Sequence, residues 1–197
     1  MLRQLAALSV LLVCAAFATI QGPVARVGPF LQDAEPRSVW VVWETTEAAP
    51  SLVRYGRTTS LGKVARGKSI PGQDGSRIHH VRLDGLRPDS PHYYSIKAEG
   101  ERGGVFRFRT PPERTAGKPF RFVVYSDTQS GPDPGKHTEV INEGVIRFVT
   151  TEFGAELSDE LAFTLIPGDL VNAGSNYAEW KEQFFDEEQQ LAQHVPI

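Results

Sequence analysis

A chain of 197 residues with 40% hydrophobic and 23% charged side chains is long enough for one large or two small globular domains and too apolar to be disordered throughout. Its net charge of −3, without runs of Lys or Arg, excludes an electrostatic case for nucleic acid or an anionic membrane as a partner.

The first element is an apolar leader. Met1 to Gln4 carry one positive charge, at Arg3, and Leu5 to Ile20 follow without a charged residue. This stretch is shorter than the roughly 20 residues of a transmembrane helix, and Ala16-Phe17-Ala18 offers the small-x-small pattern that precedes signal cleavage. The expectation is a signal peptide over residues 1–18, an exported product (periplasmic or extracellular), and no membrane attachment after cleavage. Two alternatives remain: an uncleaved anchor, and a lipoprotein held through Cys14, where Val13 stands in place of the small residue a lipobox wants. Cleavage would remove the single cysteine, leaving no disulfide to form in an oxidising compartment.

From residue 23 to 112 the chain reads as short strands between turns. Ser38 to Glu44 is rich in β-branched and aromatic residues, Leu52 to Gly56 follows the Ala49-Pro50 break, and Arg77 to Leu86, Tyr93 to Ala98 and Val105 to Thr110 continue the rhythm. About seven strands in about 90 residues point to an antiparallel sandwich. After the polar linker Glu113 to Pro119 the pattern changes. Phe120 to Tyr125 is a compact apolar strand, Thr138 to Phe153 has helical spacing, and Leu161 to Ile166 is a second strand. Asn176 and Glu179 form a candidate capping box for a helix with Tyr177, Trp180, Phe184 and Leu191 on one side. Strand, helix, strand, helix is the order of a parallel βαβ unit.

In an open α/β sheet, ligands bind beyond the carboxyl ends of the strands. Ser126-Asp127-Thr128-Gln129 follows the first of these strands and Gly168-Asp169-Leu170-Val171-Asn172 the second, so each strand tip carries a carboxylate. On neighbouring strands about 4.8 Å apart, Asp127 and Asp169 could share a cation, which would relieve their mutual repulsion. Either aspartate alone is as readily a turn or cap residue. The adjacent His79 and His80 face opposite sides of a strand and are read as structural or solvated rather than as metal ligands. His137 is read as a surface residue at a helix start, and His194 as a surface residue near a helix end.

Phe122 to Gln129 followed by Gly168 to Asn172 resembles the first two blocks of the calcineurin-like metallophosphoesterase superfamily. The preceding sandwich, with Gly28-Pro29-Phe30-Leu31-Gln32, is similar to the fibronectin type III-like N-terminal domain of purple acid phosphatases. Leu86 to Tyr94 resembles the corner of fibronectin type III domains, with His92 where that family usually has tyrosine. Either His92 makes the corner hydrogen bond or the register is off by one.

The resemblance implies a mixed fold: an antiparallel β-sandwich at 23–112, then the first β-α-β-α part of an α/β metallophosphoesterase domain at 119–197. It implies two divalent or trivalent metal ions (Fe, Zn or Mn), with Asp127 on the first and Asp169 bridging both. Gln129 stands where the family has a histidine ligand and Asn172 where purple acid phosphatases have a tyrosine, so both are weaker oxygen donors. The implied reaction is hydrolysis of a phosphate ester substrate, acid phosphatase-like. The family's remaining histidine blocks, including the catalytic histidine, have no counterpart before Ile197. The chain is accordingly expected to be a C-terminally truncated portion, inactive alone and exposing a sheet edge. A non-catalytic exported sandwich that docks through aromatics such as Trp40, and a sandwich with an unrelated appendage, are the competing readings.

Overall fold

The computed structural model describes residues 24–97, 104–129 and 135–197; the apolar leader and Cys14 lie outside the described residues. Among the described residues, eight strands build the sandwich. They are β1 (Ala25–Glu35), β2 (Ser38–Thr45), β3 (Leu52–Gly56), β4 (Lys63–Arg66), β5 (Lys68–Pro71), β6 (Arg77–Asp84), β7 (Pro91–Ile96) and β8 (Phe106–Arg109). One sheet has the order β1-β2-β6-β5 and the other β4-β3-β7-β8, with antiparallel pairing throughout. Alternation explains the core. Val39, Val41 and Trp43 of β2, Val81 and Leu83 of β6, and Tyr94 and Phe108 from the other sheet are all buried in the space between the sheets.

The strand count exceeds the sequence reading because one extended segment is shared by both sheets. β4 pairs with β3, β5 pairs with β6, and only Gly67 separates them. A Cβ on Gly67 would lie 1.9 Å from the His80 carbonyl oxygen, so the crossing requires glycine. The corner behaves as its first alternative predicts, because His92 Nε2 bonds the Arg87 carbonyl at 3.2 Å. Burial holds the His92 imidazole below its ordinary pKa, favouring the neutral ring.

His79 is a core residue. It stacks on Trp43 at 4.6 Å, with Nε2 2.8 Å from Thr45 Oγ1 and Nδ1 2.9 Å from Ser51 Oγ. Since Thr45 donates its proton to the Glu47 carbonyl, it must accept from Nε2, which fixes the neutral tautomer with Nδ1 as acceptor. Burial, reinforced by His80 and Arg77, lowers the His79 pKa to about 4.

Beyond the sandwich, β9 (Arg121–Val124) pairs in parallel with β10 (Leu161–Leu165). The crossover runs through α1 (Lys136–Glu139), a π-type stretch Val140–Ile146, α2 (Arg147–Glu152) and α3 (Leu157–Glu160). After β10 come α4 (Tyr177–Glu179), a second π-type stretch Trp180–Phe185, and α5 (Asp186–Ala192). Ile141, Val149, Leu157, Leu161, Leu191 and Val195 form the second core, against which Val123 and Tyr125 pack.

The two parts are fastened through the Gly28-Pro29-Phe30-Leu31 segment. A Cβ on Gly28 would meet the Gln189 side chain at 1.9 Å, Gln189 Nε2 donates to the Pro29 carbonyl, and Phe30 contacts Phe185 at 5.2 Å. The Ile197 amide donates to the Leu31 carbonyl while the Pro196 carbonyl accepts from the Thr164 amide, so the tail ties β1 to β10. His194 corrects the sequence reading. Its Nδ1 lies 2.8 Å from the Arg107 carbonyl and its ring meets Phe106 edge-on, so it docks the helix end onto the sandwich rather than facing solvent. Burial lowers its pKa.

Candidate metal centre

The chain leaves β9 and β10 on the same edge, as parallel pairing requires. The loops that follow are joined by backbone bonds: Tyr125 N–H to the Leu165 carbonyl at 3.3 Å, Asp127 N–H to Gly168 at 3.4 Å, and Gln129 N–H to Asp169 at 3.4 Å. Thr128, fully buried, donates through Oγ1 to the Leu170 carbonyl at 2.9 Å. Nothing in the sequence singled out Thr128, whose part is to lock one loop to the other.

Asp127 and Asp169 both adopt left-handed backbone, with φ of 59° and 53°. Aspartate tolerates this region better than most residues, yet two such residues in facing loops make a local cost that the inter-loop bonds must offset. Both residues are exposed. Ser126 donates its hydroxyl to the Asp127 carboxylate. Gln129 Oε1 is buried and finds no hydrogen-bond donor among the described residues. Asn172 is exposed, and its amide N–H donates to Gln183 Oε1. Among the described residues, no three His, Cys, Asp or Glu side chains converge as a metal cluster. No helix of the described residues is long and apolar enough to cross a membrane.

Behind the loops lies a polar cluster that sequence reading missed. His137 sits at the start of α1 as expected, but its side chain is mostly buried. Nε2 lies 2.7 Å from Glu188 Oε1, and the ring packs on Tyr125. Glu188 also accepts from the Tyr125 hydroxyl, while Glu187 accepts from the Thr138 amide and hydroxyl. Burial and the Glu188 carboxylate push the Tyr125 phenol far above its ordinary pKa, so it stays a donor. The spacing held a signal: Phe184, Glu187, Glu188 and Leu191 share one helical face, so the two glutamates ride on the buried stripe. The cap differs in detail too. Asn176 Oδ1 accepts from Ala178 N–H, but Glu179 reaches the Ala173 amide and the Asn176 side chain instead of the Asn176 N–H.

Comparison with known proteins agrees with this architecture. Residues 27–110 match the family model for the purple acid phosphatase N-terminal domain. A solved structure described as PhoD superposes on 92% of this chain with a TM-score of 0.59 at 16% identity, a likeness of fold. The chain spans 39% of that PhoD chain. None of the curated proteins matches it. Residues 27–110 of the sandwich are thus similar to a purple acid phosphatase N-terminal domain, and the whole is a mixed fold of a β-sandwich followed by an α/β region.

Proposed function

We propose that this chain belongs to a metal-dependent phosphoesterase, with an N-terminal sandwich at 23–112 and, at 119–197, the strands that carry the first metal ligands. The observation that carries the reading is the pair of left-handed aspartates in loops bonded to each other at the carboxyl edge of a parallel strand pair. The residues present fit a cation. Asp127 and Asp169 bring negative charge, and Gln129 Oε1, without a donor among the described residues, is an acceptor that a cation would satisfy. Asn172 is the fourth oxygen donor, held less directly.

An all-oxygen set suits a hard cation, so among the divalent ions of Fe, Zn and Mn the manganous ion is the best match for what these residues supply. When bound, such ions polarise a phosphoryl oxygen and neutralise the charge that develops on it. Ser126 orients the Asp127 carboxylate, Thr128 fixes the spacing of the two loops, and Tyr125 with Glu188 anchors the strand tip from behind. Export through residues 1–18 and a phosphate ester substrate belong to the same proposal.

The test is Mn(II) uptake by equilibrium dialysis, with the shift in melting temperature on adding Mn(II). Asp127→Asn and Asp169→Asn are each expected to weaken binding about tenfold or more and to abolish the shift. Uptake and shift that are the same in both variants as in the parent would remove the reading.

A further inference from the structure

The outer face of the sheet β1-β2-β6-β5 is only half covered. Around Phe30 and Glu44 it carries the C-terminal helical segment, through the Phe30–Phe185 contact and the Tyr177 hydroxyl donating to Glu44. The remainder forms an open groove of about 760 Å³ lined by Trp40, Arg66, Lys68, Ile70, His80 and Arg82 among others. The strand register sets the order. Trp40 lies directly opposite Arg82 on β6, and Lys68 of β5 lies opposite His80.

Three features separate this groove from ordinary surface. Trp40 is half-buried with no ring partner among the described residues, and Ile70, opposite Ile78 on β6, is 51% exposed, so the lining has a flat aromatic and an aliphatic component. Arg66 and Lys68 are exposed and make no ion pair among the described residues, whereas Arg82 is already engaged by Asp84 at 3.0 Å, Glu35 at 3.9 Å and Ser38 Oγ at 2.9 Å. Asp33 is the only carboxylate in the lining. The groove thus offers two cations without an ion pair among the described residues, Arg66 and Lys68, on a chain whose overall charge is −3.

A flat aromatic face flanked by guanidinium and ammonium groups suits a ligand with apolar ring faces and scattered carboxylates. Arginine forks carboxylates and lysine meets them as a point charge. A nucleic acid would also stack, but its affinity rests on a groove that tracks a continuous run of phosphates, so it is kept as the competing outcome of the test. We propose that this groove binds an acidic polysaccharide, with sugar rings lying on Trp40 and carboxylates on Arg66 and Lys68. This is independent of the phosphoesterase reading, since the groove lies wholly on the sandwich.

Affinity electrophoresis of the full chain tests it, in gels containing polygalacturonate or neutral dextran, and against an oligothymidylate. The expected result is retardation by polygalacturonate alone, weakened by added salt. Trp40→Ala and Lys68→Glu are each expected to cut affinity about tenfold, and Arg54→Glu on the other sheet to leave it intact. Lys68 is exposed, so its variant keeps the test decisive if Trp40→Ala misfolds. The proposal is overturned by no retardation in polygalacturonate, by equal retardation in dextran, by tighter binding of the oligonucleotide, or by a Lys68→Glu chain retarded like the parent.

Discussion

The sandwich and the β9–β10 pair are both made of apolar strands, yet they bury them differently. In the sandwich, inward residues such as Val39, Val41 and Phe108 are fully enclosed. In the parallel pair only one face is covered, by the helices over Val123 and Tyr125. The other presents Phe120, Phe122, Val124 and Leu165, each about half exposed or more, with Phe122 stacked on Phe163 at 5.0 Å. The lesson lies in the strand pattern: an alternating strand is satisfied by one neighbour, whereas a continuously apolar parallel strand needs two.

Substitutions can break or sharpen that contrast. The largest effect is expected from Phe108→Ala, which removes contacts to His92 and Tyr94 and should cost about 3–5 kcal/mol in urea unfolding. Phe122→Ser on the open face should cost far less and reduce aggregation and dye binding; a comparable cost at both sites would mean that the open face is covered in solution. Gly67→Ala should cost about 1–3 kcal/mol, because the His80 carbonyl must move. A smaller effect comes from acid. His79 is neutral in the folded protein with a pKa of about 4, while the unfolded chain takes up the proton near the ordinary 6.5. Its contribution is complete above about pH 6.5 and is lost as pH falls toward 4, on the order of 1 kcal/mol after allowing for solvent screening. His92 and His194 act in the same direction. Urea midpoints measured from pH 7 to 5 should fall, and less steeply in His79→Gln.

Much of this was legible from residue order. Five of the sandwich strands, the βαβ order and the helix cap at Asn176 follow from periodicity and local hydrogen-bonding chemistry, while the corner at His92 comes from the family resemblance. At the candidate site, the positions of Asp127 and Asp169 could be read from the strand ends, but their left-handed backbones and the buried Thr128 could not. The glutamates 187 and 188 look like solvent-facing charges until His137, Tyr125 and Thr138 arrive from 49 to 63 residues away.

By itself the sequence determined the local events: which segments are extended or helical, where they stop, and which side chains stand at the strand tips. These depend on neighbours within a few positions, so composition and spacing contain them. Only the tertiary structure decided how the C-terminal helix meets Gly28 and Phe30, why His194 is turned inward, and which half of the sandwich face stays open. Those outcomes depend on contacts between residues far apart in the chain, and such pairings leave no period for a linear pattern to reveal.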